Sequence, residues 1–375
     1  MTALALATAL AALAVALRAA LPRLRAPRLA APEDPSESTA VDVLLPVRDE
    51  ESNVADCVAA LLAQRVPVRV LVLDDGSRDA TAAITGALAA AEPRVAFERV
   101  PEPPSGASGK VAALAHGERR TAGDWLLAVD ADARPAPDAL ACALATARAR
   151  SLDALSLAAR QRAPRPGEAL LTPLVFALLD VALGDWRRAA DGRGAPVANG
   201  QFLLVRRAAL AAVGGYGAIA TEPLDDVALA RRLAAGGFRV GFLRARTALA
   251  VRMYRGAGAT FHGWRRNLAL IFGARPGAPL AAAALLAAPG VAAVAALAAG
   301  RPGTALAAWA AGALASAVAR AGTGSSPLWG VLHPLDALAL TGTLAVAARD
   351  HRRGRLARWR GRDLSPGAGP PSRRA

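Results

Sequence analysis

Three apolar stretches, Pro279–Ala299, Gly303–Val318 and Leu328–Ala348, follow one another within about seventy residues that carry very few charges. Each approaches the ~20 residues that span a bilayer. A buried helical core is the other reading of such a run, but one so poor in charge is unusual in a soluble domain. The third stretch carries His333, Pro334 and Asp336, which reads as a broken or re-entrant segment. A further apolar run covers residues 3–17, interrupted only by Thr8, and continues through Ala19–Leu21 to Pro22. No basic residue precedes this run and arginines follow it, which favours a retained anchor with its C-terminal side in the cytoplasm over a cleaved signal peptide.

Charge is placed accordingly. The chain has a formal net charge of +15. Arg18, Arg23, Arg25 and Arg28 meet no acid in residues 18–28, and residues 349–375 hold nine arginines against Asp350 and Asp363. Most of the excess therefore lies beside apolar segments, where it is a topology signal before it is a nucleic-acid footprint. No nucleic-acid partner is expected. Three full crossings after a cytoplasmic domain would put the arginine-rich tail outside. Either one segment does not cross or the tail breaks the positive-inside tendency. Two cysteines, Cys57 and Cys142, exclude a disulfide scaffold and a zinc ribbon.

Between Val41 and about Gly256 the texture changes. Val41–Val47, Val68–Leu73, Trp125–Val129 and Leu155–Ala158 read as buried strands, with helical periods around 51–63, 79–91, 110–120 and 136–150. Strand and helix in alternation predict a mostly parallel α/β sheet with helices on both faces. Ligands in such sheets sit at the carboxyl ends of the strands. There the polar residues collect: Arg48-Asp49-Glu50-Glu51, Asp74-Asp75-Gly76-Ser77 and Asp130-Ala131-Asp132.

Each motif has a plain structural reading beside a functional one. Asp130 and Asp132 could share a divalent cation whose other ligands are phosphate oxygens, or Asp132 could cap a helix. Asp75 could hydrogen-bond a base or ribose, or simply serve the Asp-Gly turn. Lys110 is the only lysine among 45 basic residues. In a chain that has turned nearly every lysine to arginine, it marks a place for a compact ammonium, such as a diphosphate contact; chance retention is the alternative. The segment Ser105–Lys110 lacks the P-loop pattern, since Pro104 and Val111 occupy required positions. Asn199 leads into Phe202–Val205 through Gly200 and reads as a turn. Asp225 and Asp226 open an amphipathic helix, where the dipole stabilises acids, and a carboxylate there could also take a proton from a hydroxyl.

In this order and at these spacings, the pieces resemble the family 2 glycosyltransferases of the GT-A fold, over about Val41 to Asn267. Val43–Asn53 resembles the family's opening strand and acidic turn, with Asp49 where Asn is common and Glu50 matching. Asp75 matches the base-recognising acid, and Asp130 and Asp132 match the metal-binding D-x-D. Gly109-Lys110 with Ala113 and Gly117 is similar to the G-K-x-x-A-x-x-x-G helix. Asp225-Asp226 falls where Glu-Asp is usual, so Asp226 inherits the role of base, with Glu222 as the fallback should the register differ. Gly263-Trp264-Arg265-Arg266-Asn267 stands where processive members carry Q-x-x-R-W; without the Gln it is closer to the bacterial subgroup acting on carotenoid and other lipid acceptors.

The resemblance implies an α/β GT-A domain plus transmembrane helices. The expected layout is an anchor (1–22), a linker (23–40), the glycosyltransferase domain (41–258), an interfacial amphipathic helix (259–275), membrane segments (279–348) and a basic tail (349–375). It implies an inverting hexosyl transfer from a nucleotide-sugar donor to a lipid hydroxyl at the cytoplasmic face of a bacterial membrane, with Mg²⁺ or Mn²⁺ as cofactor. Asp49, Glu50 and Asp75 would hold the nucleoside, with Lys110 and Asp130 also on the donor. Asp130 and Asp132 would hold the metal, and Asp226 would be the base. Trp264 would line the acceptor mouth, with Arg265 or Arg266 facing the diphosphate. A polysaccharide synthase of the same family is the alternative enzyme. A transporter with a nucleotide-sensing domain is the non-enzyme alternative, disfavoured by three short C-terminal spans and no central ionisable pathway beyond Asp336.

Overall fold

The computed structural model describes residues 3–24, 26–31, 40–104, 106–354, 358–359 and 362–363. Half of the expected linker and most of the basic tail lie outside the described residues. The strands are β1 (Val41–Val47), β2 (Val68–Asp74), β3 (Val95–Arg99), β4 (Trp125–Ala128), β5 (Ala133–Pro135), β6 (Ala154–Ala158), β7 (Arg160–Gln161), β8 (Leu203–Arg206), β9 (Val240–Arg244) and β10 (Leu249–Val251). The helices begin with α1 (Ala3–Leu24), α2 (Val54–Leu62), α3 (Thr81–Ala91), α4 (Gly109–Glu118), α5 (Ala139–Ala149), α6 (Pro166–Ala169) and α7 (Thr172–Leu183). They continue with α8 (Trp186–Ala190), α9 (Arg207–Ala212), α10 (Asp225–Ala235), α11 (Ala257–Phe272), α12 (Gly277–Ala298), α13 (Pro302–Thr323) and α14 (Leu335–Arg352).

Two compact units result. The sheet unit comprises Ala26–Ala159 and Trp186–Val251, with Arg358–Ala375; the helical unit comprises Met1–Arg25, Arg160–Asp185 and Arg252–Ala357. In the sheet unit seven strands run in the order β3-β2-β1-β4-β8-β6-β9. The pairs β1–β2, β1–β4, β2–β3 and β6–β9 are parallel, and β8 is antiparallel to β4 and β6. The valine- and leucine-rich runs of β1 and β2 are buried almost throughout, as strands covered on both faces must be. After β1 the chain adds β2 and β3 on one side and β4 on the other, so a crevice opens at the carboxyl ends of β1 and β4. The small strand β5, directly after Asp132, pairs antiparallel with β10.

The contiguous 41–258 domain expected from sequence is interrupted. Residues 160–185 belong to the helical unit, where Leu171, Leu174, Val175 and Phe176 pack with Ala12, Ala16 and Ala19 of α1 in one core. Pro166–Leu183 is one of four helical segments among the described residues that are long and apolar enough to cross a membrane. The others are Ala3–Pro22, Gly277–Ala298 and Pro302–Thr323. The stretch Leu328–Ala348 is not a continuous helix: Gly324 turns left-handed, Pro327–Leu332 form a 3-10 turn, and α14 starts only at Leu335. The expected amphipathic helix is α11, whose buried Thr260, Trp264 and Leu268 recur every four residues.

Candidate active site

The turns that follow β1 and β2 form one stitched rim. Register sets Val47 beside Asp74, so the segments beginning at Arg48 and Asp75 leave the sheet as neighbours. The Asp49 N–H donates to Ser77 Oγ (3.0 Å), and the Arg78 N–H donates to the Asp49 carboxylate (2.8 Å). The Glu50 N–H donates to Thr81 Oγ1 (2.7 Å). These bonds hold Asp49 at φ +52, a conformation non-glycine residues rarely adopt. The Arg48 guanidinium donates to the Asp75 carboxylate (3.2 Å), both side chains largely buried. Asp74 accepts the Ser77 N–H and pairs with Arg99. The three acids expected at the nucleoside, Asp49, Glu50 and Asp75, therefore sit on one rim at the strand ends.

Asp130 and Asp132 follow β4. Asp132 Oδ1 is buried and has no hydrogen-bond partner. Burial, and then the charges of Asp130 and Glu50, push the Asp132 carboxyl up to about 7. Among the described residues no group of three or more His, Cys, Asp or Glu could hold a metal ion. The open Asp132 oxygen beside Asp130 fits a divalent cation that draws its remaining ligands from phosphate or water.

Lys110 lies in the first turn of α4, which Ser108 caps by accepting the Val111 N–H. Its Nζ stands between Asp130 Oδ1 (2.8 Å) and Asp225 Oδ2 (3.3 Å). Burial opposes the ammonium charge, but Asp130, Asp225 and Asp226 hold it well above the usual lysine range. Gly200 packs against this ammonium: a Cβ there would lie 2.6 Å from Nζ. The Gly200 N–H in turn donates to Asp226 Oδ2 (2.8 Å), while Asp226 Oδ1 accepts the Val227 N–H (2.8 Å). Burial and the neighbouring Asp225 charge push the Asp226 carboxyl up to about 6. Glu222 is exposed, three residues before the helix.

A small pocket is lined by Lys110, Gly200, Tyr216, Asp225 and Asp226. Tyr216 was not singled out by sequence, yet its ring is buried and its hydroxyl has no partner. Gly215 at φ +66 lets Glu118 approach closely and accept the Tyr216 N–H (2.9 Å). Gly200 was read only as part of a turn. A backbone donor leaves no side-chain signature, so its bond to Asp226 had none to read.

Trp264, Arg265 and Arg266 belong to the helical unit. The Trp264 ring is 2% exposed; its indole N–H donates to Thr172 Oγ1 (3.0 Å), and Phe176 and Tyr254 pack edge-on against it. The expectation that it lines an open acceptor mouth is corrected: the ring fills the face of α11 turned to the helical core. Arg265 is paired with Asp350, and Arg266 donates to Asn267 Oδ1 (3.0 Å).

Residues 42–211 match the family model described as glycosyl transferase family 2. No curated protein sequence matches the chain. Among solved structures, the mannosyltransferase of Pyrobaculum calidifontis in complex with GDP-Man and Mn²⁺ is 22% identical, with a TM-score of 0.56, over 93% of this chain and 98% of that one. The glucosyl-3-phosphoglycerate synthase of Mycobacterium tuberculosis in complex with Mn²⁺, UDP-glucose and phosphoglyceric acid is 20% identical, with a TM-score of 0.40, over 63% and 79%. TarS of S. aureus, residues 1–349 in complex with UDP-GlcNAc, is 15% identical, with a TM-score of 0.42, over 84% and 92%. The first of these shares the fold over nearly the whole of both chains.

Proposed function

We propose that this chain, whose residues 42–211 match the glycosyl transferase family 2 model and which shares the fold of a mannosyltransferase, takes a nucleotide-sugar donor and transfers the sugar, with inversion, to a lipid hydroxyl of isoprenoid or glycerolipid type at the cytoplasmic face of a bacterial membrane. One observation carries the reading. A D-x-D pair with an open buried oxygen and the Asp225–Asp226 pair, whose Asp226 carboxyl is raised to about 6, meet in one crevice, with a single lysine bridging Asp130 and Asp225. The helical unit supports the lipid acceptor, since leucines such as Leu4, Leu297 and Leu306 are more than half exposed on helices long enough to span a bilayer.

In the proposed reaction the rim of Asp49, Glu50 and Asp75 holds the nucleoside, and Lys110 lies toward the diphosphate. Asp130 and Asp132 would hold Mg²⁺ or Mn²⁺, which, when bound, supplies positive charge against the leaving diphosphate. Asp226 takes the proton of the acceptor hydroxyl. That oxygen bonds to the anomeric carbon as the bond to the diphosphate breaks, so the nucleoside diphosphate leaves with the electron pair. Such a base contributes about 10²–10⁴-fold. Two backbone N–H groups fix the Asp226 carboxylate, so it needs no reorientation.

The test is incubation of the purified, detergent-solubilised protein with UDP- and GDP-sugars and a bacterial lipid extract, followed by mass spectrometry of the lipids. A glycosylated lipid together with stoichiometric nucleoside diphosphate is expected. Sugar appearing only on a growing polysaccharide, or nucleoside diphosphate released by hydrolysis alone, would refute the lipid acceptor.

A further inference from the structure

The helical unit holds a buried polar network that the reaction does not use. Arg320, Asp336, Ser316 and His333 are each no more than 3% exposed. The Arg320 guanidinium donates to Ser316 Oγ (3.0 Å), Asp336 Oδ2 (2.8 Å) and the Ala169 carbonyl, and the Ser316 hydroxyl donates to Asp336. His333 Nδ1 lies 3.4 Å from Asp336 Oδ1. Its ring occupies a notch left by Gly312 of α13, and Gly290 of α12 receives Pro334; a Cβ on either glycine would overlap these rings. Charge at such a place inside a bilayer requires pairing of this completeness.

The network fixes where the third apolar stretch begins and ends. Gly312 lies at the middle of the 22-residue α13, and Gly290 lies past the middle of the 22-residue α12. At ~1.5 Å per residue each of these helices is about 33 Å long, matching the hydrocarbon core. Three residues join them, so they run antiparallel, and the start of α12 lies level with the end of α13. From there Pro327–Leu332 descends along α13, where Gly330 touches Ala313 and Ala317. α14 starts at mid-depth beside Gly290 and ends with His351 against Gly273, just before α12 begins. Gly273 and Gly290 are 17 residues apart, as are Pro334 and His351. α14 therefore lies antiparallel along the first part of α12 and never reaches its far end. α1 ends at the same level, with Ala20 against Gly322 of α13. The fourth apolar segment, Pro166–Leu183, is broken at residues 170–171 between α6 and α7, and α7 by itself, with 12 residues, is about 18 Å long, short of a crossing.

We infer that α1, α12 and α13 cross the bilayer and that residues 324–352 form a re-entrant hairpin, entering and leaving on the face where α1 ends. The inference rests on the membrane reading proposed above. Its lipid-facing surface is visible on both halves of the bundle. Leu4, Leu297 and Leu306 are exposed by 64–73% at the far end, and Leu328, Leu335 and Leu338 by 52–82% on the hairpin. The charges agree. The connection between α12 and α13 carries one arginine, Arg301, whereas the two arginine clusters begin in the last turns of α1 and α14 and run on into the segments after them. The parity problem disappears, because the basic tail returns to the face on which α1 ends, as the positive-inside tendency requires.

Single cysteines test this in the full chain carrying Cys57→Ala and Cys142→Ala, expressed in bacteria and probed with a membrane-impermeant maleimide. Ala31→Cys, Ala299→Cys, Ser326→Cys and Arg353→Cys are all at exposed positions outside the packed cores. We expect Ala299→Cys to react in intact cells, and the other three only after permeabilisation. Reaction of Arg353→Cys in intact cells would make the third stretch a crossing and overturn the hairpin. Reaction of Ser326→Cys in intact cells would overturn the crossing by α13. A chain that washes from membranes at alkaline pH, with Ala31→Cys and Ala299→Cys labelled alike, would instead sink the membrane reading itself.

Discussion

Replacing Lys110 by arginine keeps the charge and should still damage the enzyme. The Lys110 ammonium sits 2.8 Å from Asp130 and 3.3 Å from Asp225, with the Gly200 backbone packed against it so closely that a methyl group there would lie 2.6 Å from Nζ. A guanidinium is wider and planar, and its fork cannot rotate to serve two carboxylates as an ammonium does. Overfilling a packed site costs about 1–3 kcal/mol, which corresponds to roughly a fivefold to 150-fold loss in kcat/KM for the donor. Gly200→Ala pushes on the same ammonium from the other side and should give a loss of the same order. The assay is donor-dependent kinetics on the purified, detergent-solubilised proteins, run as a double-mutant cycle with Lys110→Ala. If Gly200 acts through Lys110, Gly200→Ala costs little once the lysine is gone. Equal kinetic constants for wild type and Lys110→Arg would make the lysine a compositional accident. Full additivity in the cycle would remove Gly200 from the argument.

Asp226→Asn should leave nucleotide-sugar binding nearly unchanged and lower turnover by about 10²–10⁴-fold; if Glu222→Gln does this instead, the assignment of the base moves to Glu222. Since burial and Asp225 raise the Asp226 carboxyl to about 6, the base is ionised above that pH and protonated below it. The pH profile of kcat/KM should therefore fall on the acid side near 6, and that limb should be missing from the residual activity of Asp226→Asn. Asp132→Asn, or excess chelator, should abolish transfer while the circular-dichroism spectrum of the folded domain persists, and full turnover in chelator would exclude the metal. Arg320→Ala leaves Asp336 buried without its partner and should lower stability by about 3–5 kcal/mol; an unchanged unfolding midpoint would mean that the network contributes nothing to holding the bundle together.

The parts of the fold that the sequence displays are those buried on both sides. β1, β2 and β4 lie centrally in the sheet and appear as unbroken apolar runs. β3, at the sheet edge, reads Val-Ala-Phe-Glu-Arg with only Val95 fully buried, and such a mixed pattern carries no clear period. Thr172–Leu183 fails for the opposite reason. It is apolar on nearly every side, and a helix buried in a bundle has the same composition as one buried against a sheet. Only its long-range partners in α1 and α13 assign it. The third C-terminal stretch did carry its signal. His333, Pro334 and Asp336 interrupt an otherwise apolar run, and they lie where the 3-10 turn Pro327–Leu332 gives way to α14 at Leu335.

At the site, side-chain chemistry was legible and backbone chemistry was not. Asp130, Asp132, Asp226 and Lys110 can be found because each is an unusual choice for its place: acids ending a buried strand or opening a helix, and one lysine among arginines. Trp264 shows the limit of this logic. A tryptophan on an amphipathic helix beside two arginines suggests an exposed recognition surface, but its place in the sequence of buried positions, four after Thr260 and four before Leu268, aligns it with the core face instead. Gly200 lies at the other extreme, since what it contributes is an N–H and the lack of a methyl group. Both act at one point, holding Asp226 on one side and leaving room for Lys110 on the other. The base and the cation bridging to Asp130 are thus positioned by the same peptide, so a displacement of that peptide disturbs both ends of the proposed reaction together.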